Sequence, residues 1–526
     1  NTFAFDSLGN QVEQRVYMTT YAGAVDDFVP PVPTPSAADR IITAQYDRNN
    51  RRTIAVATDG SRTEFTYDGV GNLVRELQFA NTALPRELLY AYDNNSRLVQ
   101  FIDSDGTETT FTYDGANNKT SERVFNASDP NPLRITEFKY DLNSRLIRQT
   151  FDPSGLAHTE RLFYDKLGNA IEKTDPNGAS LLSVFDLNNR IVSQTNGEGE
   201  TVQFAYDAVG NQIQVTDALG NTTEVEYDGN NRVVREIAPL VTIFDLNAGE
   251  RSERPVTARL YDAAGNEIQT VDANGVVTTR WFDGSNRQIA ELNGDNVLRT
   301  FAYNAAGEQI VETLYMTRLT AADHDPLVLP SPPAGESVTT EFEYDIAGRV
   351  VRVIYPEIDV TRLTATNTGN PSAVTTAERP EDIIVYDDYG NAVETFDRNG
   401  NRTVKYFDIK DRVVAQVDAE GFLTEFDYDA QGNLLEQRVY ATALSTSTLG
   451  ANVRPTPPAG VPEVVNRRYD AASRLIEEQS PGVDIFDPNT LTTTSERIVT
   501  RFDYDANGNE IRRILASGSV QDAVEY

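Results

Sequence analysis

The sequence predicts an all-β fold, a continuous antiparallel array of β-hairpins, and three observations predict it. First, an aromatic–acidic pair recurs nineteen times along 526 residues. The pairs begin at Phe5, Tyr46, Tyr67, Tyr92, Tyr113, Tyr140, Tyr164, Phe185, Tyr206, Tyr227, Tyr261, Phe282, Tyr303, Tyr344, Tyr386, Phe407, Tyr428, Tyr469 and Tyr504. Asp follows each aromatic except at Asn304, and nine of the eighteen intervals are 21 residues. Second, segments of period-two alternation lie between turn signals about ten residues apart, which reads as strand, turn, strand, turn. Third, helix-period apolar spacing is absent, and Gly or Asn interrupts the chain at every turn. A constant period in this range means units that bury apolar surface only against their neighbours.

One unit runs Tyr206-Asp207-Ala208-Val209-Gly210-Asn211, then a short strand, then Asp217-Ala218-Leu219-Gly220, then a second strand into Tyr227. Asp opens each turn because its carboxylate accepts N–H groups ahead of it. Gly closes the turn because the left-handed backbone costs it nothing, with Asn next best. Turns built on type I geometry are expected. The repeat positions are Tyr46-Asp47, Tyr67-Asp68 with Gly71, Tyr113-Asp114, Tyr164-Asp165 with Gly168, Tyr206-Asp207 with Gly210, Tyr227-Asp228, Tyr261-Asp262 with Gly265, Tyr428-Asp429 with Gly432, and Tyr504-Asp505 with Gly508.

The turns alternate between two classes. One ends in Asn or a variant (Asn10, Asn72, Asn118, Asn169, Asn211, Asn266, Glu308, Asn391, Asn433, Asn509). The other ends in Arg (Arg51, Arg97, Arg145, Arg190, Arg232, Arg287, Arg349, Arg412, Arg474). The true repeat is therefore two hairpins. Either the arginines face a carboxylate or a neighbouring layer that the asparagines do not, or the alternation is a relic of duplication.

The string Y-D-x-x-G-N/R, in phase across the whole chain with a D-x-x-G turn before it, resembles the YD-repeat (Rhs) family. That resemblance implies an antiparallel ribbon wound into a β-spiral or solenoid, as a shell or a rod. It also implies a secreted or cell-surface setting, as in the shells of bacterial Rhs and toxin-complex proteins or in teneurin-type surface proteins. The toxin pattern's DPxGR-type boundary is matched only in part, at Asp152-Pro153-Ser154-Gly155, which reads as an ordinary turn.

Long Pro-rich insertions, about 18–40, 316–338 and 441–463, follow hairpins 1, 13 and 17; shorter ones, about 238–256, 356–380 and 480–497, follow hairpins 10, 14 and 18. Within each set the spacing is a multiple of four hairpins. If four hairpins made one turn of the spiral, eight strands at ~4.8 Å would close a rod about 12 Å across, filled by side chains. Duplication of a four-hairpin block is the alternative. The insertion loops are the expected binding surfaces. Residues 1–526 read as one continuous array, and both ends fall inside the repeat motif, so a piece of a larger protein is expected.

Net charge is −34 and the pI about 4.4, which argues against nucleic-acid partners. There are no cysteines, and no apolar run is long enough to predict a membrane span. Only His158 and His324 are present, so Cys/His metal clusters are absent; Ser-His-Asp arrangements and phosphate-binding loops are not found either. Asp103-Ser104-Asp105-Gly106 resembles the start of a calcium loop without its later ligands, and it reads as a turn. No cofactor is expected, with weak Ca²⁺ binding by clustered carboxylates left open. The repeated aromatics are expected in a core rather than on a sugar-stacking face, and Trp281 marks no evident site. The chain thus reads as a non-enzymatic scaffold, a fibre or shell for adhesion or display. The alternatives are the encapsulating shell of a polymorphic toxin and a carbohydrate-binding adhesin. Expected partners are further repeats of the same protein, surface glycans, or copies of itself in filaments.

Overall fold

A computed structural model describes the chain except for residues 19–33, 127–129, 246–248, 365–371, 447–448, 452, 488–491, 518–519 and 526. Among the described residues, thirty-nine strands from Thr2–Phe5 to Val520–Glu525 form one antiparallel sheet. Each strand pairs with those before and after it along the chain. At every Tyr-Asp turn the register slips by one residue, as between Ala205 and Tyr206. The turn beyond it is the expected type I turn closed by a left-handed residue. Gly210 has φ 107° and its N–H donates to the Asp207 carbonyl at 3.3 Å, while Asp207 N–H donates to the Asn211 carbonyl at 2.9 Å.

The shorter insertions become hairpins. Val241–Asp245 pairs with Gly249–Glu253, and Ile358–Thr364 with Ser372–Glu378, each as a separate two-stranded sheet. The third lengthens the main-sheet strands Leu475–Asp487 and Thr492–Tyr504.

Contacts between distant parts of the chain set the winding. The turn after the eighth strand of the sheet (Asp103–Thr107) touches the turn after the thirty-first, where Lys410 reaches Asp105 at 2.7 Å. The turn after the fourteenth (Asp175–Gly178) touches the turn after the thirty-seventh, where Asn177 reaches Asp505 at 2.9 Å. Both pairs lie 23 strands apart. The ribbon therefore coils with about 23 strands per lap, and the second lap's Tyr-Asp rim sits on the first lap's Asp-x-x-Gly rim. At ~4.8 Å per strand the lap is about 110 Å around and ~35 Å across.

This overturns the filled rod of eight strands per turn. Eight strands are about a third of a lap, so the insertions do not stack in rows. The accessible surface agrees with a single layer. It is 31,245 Å², against ~19,000 Å² for a compact monomer of this mass. Most strand residues are only half-buried, because both faces of the sheet lie open.

Two patches are exceptions. Trp281, Ala290, Leu292 and Leu298 form one buried cluster; Tyr406, Ala415, Val417 and Leu423 form another, 125 residues on in the same order. The Pro-rich segments 316–338 and 441–463 fold back over them as straps. Leu319 N–H donates to the Asn296 carbonyl at 2.8 Å, and Leu444 N–H to the Gly421 carbonyl at 2.8 Å. These two loops are therefore covers for sheet faces rather than free binding loops, and Trp281 sits beneath the first. The loop 18–40 lies mostly outside the described residues.

Candidate functional site: the rims and the seam

The repeat's chemistry is concentrated on the Tyr-Asp rim. In every arginine-class turn the Arg Nε bonds its own turn's Asp, as Arg51 does Asp47 at 2.7 Å and Arg190 does Asp186 at 2.7 Å. The guanidinium also lies over the ring of the next hairpin's tyrosine. Nine such stacks, from Arg51 on Tyr67 to Arg474 on Tyr504, have centroid distances of 4.5 to 5.0 Å. Its free nitrogen usually reaches the backbone carbonyl at the next turn's first residue, as from Arg97 to Asp114 at 3.1 Å. Each stack contributes ~0.5–1 kcal/mol at this exposure.

Asparagine-class turns also face a carboxylate: Asn211 Nδ2 donates to Asp207 Oδ2 at 2.8 Å. Asn211 goes on to the next turn, donating to Asn231 Oδ1 at 2.9 Å; Asn10, Asn169 and Asn266 do likewise to Asn50, Asn189 and Asn286. The expected contrast between the classes is thus corrected. Both bind their own Asp and both reach forward, and they differ in reach. The long Arg spans to an aromatic ring, and the short Asn spans to an amide. Together they stitch turn to turn along the rim.

The repeat tyrosines are corrected as well. They are half-buried staples rather than core residues. Tyr206 Oη donates to the Ile191 carbonyl at 2.8 Å, one hairpin back, and Tyr46, Tyr67, Tyr113, Tyr164, Tyr227, Tyr261, Tyr428 and Tyr504 make the matching bond. Tyr206→Phe should cost about 1 kcal/mol by freeing that carbonyl, read as faster amide exchange in residues 191–206 by mass spectrometry.

Several of the turn aspartates titrate low. The backbone N–H and then the guanidinium of the following arginine hold Asp47, Asp141, Asp186 and Asp228 below the usual carboxylate range. Asp505 falls to about 2, first through its bond from Asn509. A depressed carboxylate stabilises the fold above its unfolded pKa, and that stabilisation is lost as pH falls through the folded value. Circular dichroism should therefore show the array intact above pH ~4 and losing its turns between about 4 and 2.

The seam uses departures from the repeat. The Asn304 turn moves its carboxylate from the first position to the fifth: Asn304 Nδ2 donates to Glu308 Oε2 at 2.7 Å. Glu308 thereby meets Arg40 of the first lap, Nη1 to Oε1 2.8 Å and Nη2 to Oε2 2.9 Å. In the 408–412 turn, Asp411 occupies the left-handed position where most arginine turns have Asn or Ser (φ 61°). It takes the Arg86 guanidinium, Nη1 to Oδ2 at 2.7 Å. Its neighbour Lys410 sits between Asp103 at 3.2 Å and Asp105 at 2.7 Å, so an ammonium already occupies that carboxylate pair. Burial works to raise Asp105, but Lys410 and the Thr107 N–H prevail and lower it. Tyr389 packs edge-on to Phe79 at 4.9 Å and donates to the Leu84 carbonyl at 2.9 Å. Finally, Asn177 Oδ1 accepts from Ala506 N–H at 2.9 Å, and Asn507 Nδ2 donates to Asp175 Oδ2 at 2.6 Å.

His324, within the first strap, contacts Thr279 Oγ1 at 3.0 Å and Asn296 Oδ1 at 2.9 Å. Among the described residues no group of three His, Cys, Asp or Glu side chains is placed to hold a metal ion.

The RHS Repeat family profile matches residues 92–127, 185–222 and 206–240. No curated protein matches the sequence. Among solved structures, the chain is similar to one in the crystal structure of TcdB2-TccC3-Cdc42, at 14% identity over 92% of this chain and 28% of that one, TM-score 0.43. It is also similar to one in the Photorhabdus luminescens Tc holotoxin pore, at 13% identity over 93% of this chain and 28% of that one, TM-score 0.43. The chain thus spans little more than a quarter of the length of those it matches. With its hairpin period, alternating turns and matched segments, this chain carries RHS (YD) repeats.

Proposed function

We propose that this chain is a stretch of the wall of a hollow container, the encapsulating shell of an Rhs-type toxin, and that the wall itself is non-enzymatic. The observation that carries this is the lap of about 23 strands, which favours a tube over a packed fibre. Side chains take ~5 Å from each wall, leaving a lumen about 25 Å wide. An extended chain passes through that width; a folded 100-residue domain, ~34 Å across, does not. The cargo would be an unfolded or partly folded polypeptide. A secreted or cell-surface location is part of the same proposal; among the described residues no helix is long and apolar enough to cross a membrane.

Electron microscopy of the purified particle tests this. A tube with a lumen about 25 Å wide is expected. A solid rod about 12 Å in core diameter would restore the fibre reading. The glycan-adhesin alternative loses much of its basis, because two of its three long loops lie down on the sheet.

A further inference from the structure

The two straps are fastened by opposite chemistry, although they lie in matching positions 125 residues apart. The second is held by ion pairs and an apolar plug. Arg402, paired with Glu394 at 2.7 Å, donates to the Leu449 carbonyl at 2.9 Å, and Arg454 and Tyr440 converge on the buried Glu425 at 2.6 and 2.8 Å. The Leu449 side chain packs against the cluster that contains Val404. The first strap and its strands have Val277, Gln269, Leu329 and Thr300 where the second has Arg402, Glu394, Arg454 and Glu425, so none of those ions remains. His324 stands in the place of Leu449, and Thr279 in the place of Val404.

His324 closes a neutral hydrogen-bond knot between strap and sheet. Asn296 Oδ1 lies 2.9 Å from Nε2 and is an acceptor, so Nε2 carries the hydrogen and Nδ1 of the neutral ring accepts. Nδ1 takes the hydroxyl hydrogen of Thr279 at 3.0 Å. Thr279 is fully buried, and its oxygen accepts from Gln269 Nε2 at 3.2 Å, which also donates to the His324 carbonyl at 2.8 Å. A proton on Nδ1 reverses the central bond. Thr279 Oγ1 then faces two donors, and its own hydrogen has only the His324 carbonyl, 3.3 Å away and already held by Gln269. Among the described residues, the hydrogen-bond partners of the charged ring are neutral dipoles, with no carboxylate.

The charged groups around the knot are committed elsewhere. In the strap, Asp323 is bound to the Thr320 N–H and hydroxyl, Asp325 accepts from Leu327 N–H, and Arg318 is exposed. In the sheet, Arg280 lies on the opposite face between Glu267 and Glu291, Arg299 pairs with Glu312, Asp272 is bound within its own turn, and Asp295 is exposed. Burial prevails over the pull of Asp323 and holds the imidazole below its ordinary value. The closed strap therefore binds the proton less readily than the open one. Closure is at full strength above pH ~6.5 and weakens as pH falls below it.

We propose that His324 is an acid-sensitive latch: neutral, it keeps residues 316–338 down over Trp281, Leu292 and Leu298, and on gaining a proton it releases them. The second strap, with leucine at that position, stays shut. A drop in pH thus uncovers one apolar patch of the sheet and not the other. The window lies above the pH ~4 at which the turn aspartates begin to protonate.

Trp281 is the only tryptophan of the chain and is 6% exposed, so its fluorescence reports this strap alone. Between pH ~7.5 and ~4.5 the emission of the full chain should move reversibly to the red, and acrylamide quenching should rise. H324L, which copies the second strap, and H324Q, which is neutral at every pH, should keep the emission blue and flat over that range. H158Q, which removes the other histidine, should shift as wild type does. Hydrogen exchange, corrected for its intrinsic pH dependence, should show lost protection at 316–330 with 441–446 unchanged. An emission that does not move, a shift that survives in H324L or H324Q, or equal loss of protection in both straps overturns the proposal. Should both His324 variants fail to close at neutral pH, the wild-type comparison of the two straps still decides it.

Discussion

Leu423→Ala is expected to be among the most damaging single truncations in the chain, at about 2–5 kcal/mol. Leu423 is fully buried in a molecule with few such residues, between its sheet neighbours and the strap that begins after Tyr440. Removing the side chain leaves a cavity, and the strap has little other apolar surface to settle on. In a repeat array the cost stays local, because each unit contacts only its neighbours. The measurement is hydrogen exchange by mass spectrometry. Peptides covering 402–428 and 440–446 should lose protection, while those covering 277–303 should keep theirs. Val225→Ala, on an uncovered strand, should cost markedly less because Val225 is only half-buried. Equal protection in wild type and the Leu423 variant would mean that the strap does not pack.

Asp411→Arg is expected to have the second largest effect, through winding rather than strand pairing. It sets a guanidinium against Arg86, whose side chain is only 12% exposed, and removes the acceptor for both Arg86 nitrogens. With Asp411 itself more exposed, the loss is of order 1–3 kcal/mol. Lys410 and Tyr389 lie close by, so adjacent seam contacts should loosen together. Small-angle scattering should show a larger radius of gyration with unchanged far-ultraviolet circular dichroism. The exchange Arg86→Asp with Asp411→Arg should restore the wild-type radius. A single variant with an unaltered radius would show that this pair does not hold the laps.

Hairpin number, strand positions, turn type and the two turn classes were legible because they depend on local rules: period two, Asp before the turn, Gly or Asn at the left-handed position. The role of Arg51 and its equivalents was only half legible. That they meet a carboxylate follows from their spacing. That they also roof the next tyrosine needs the hairpins side by side. Lap size was not legible, because the four-hairpin period of the insertions fits a helical period and a block duplication equally, whereas curvature arises from twist accumulated over many strands and leaves no repeat in the sequence. Trp281 and the straps were missed for a related reason. Their sheet face carries Leu292 and Leu298 where the uncovered unit carries Thr216 and Thr222, and Trp281 where it carries Ala205. That switch from polar to apolar was a readable sign of a cover. Of the seam residues, Asn304 and Glu308 are visible in the sequence as departures from the repeat, and Glu308, Lys410 and Asp411 make the contacts with the other lap.

Because 23 is odd, every second-lap Tyr-Asp turn lands over an Asp-x-x-Gly turn of the first. Inserting one hairpin into residues 178–303 would keep turn over turn, yet it would carry Glu308, Tyr389, Asp411 and Asn507 two strands past Arg40, Phe79, Arg86 and Asn177 at once. Repeat number inside a lap is therefore a gauge of bore. Each hairpin is worth about 3 Å of diameter, and the seam works as a vernier that accepts a single setting. Hairpins added after a lap has closed leave that lap's seam in register, so length is free to drift in evolution while calibre is not.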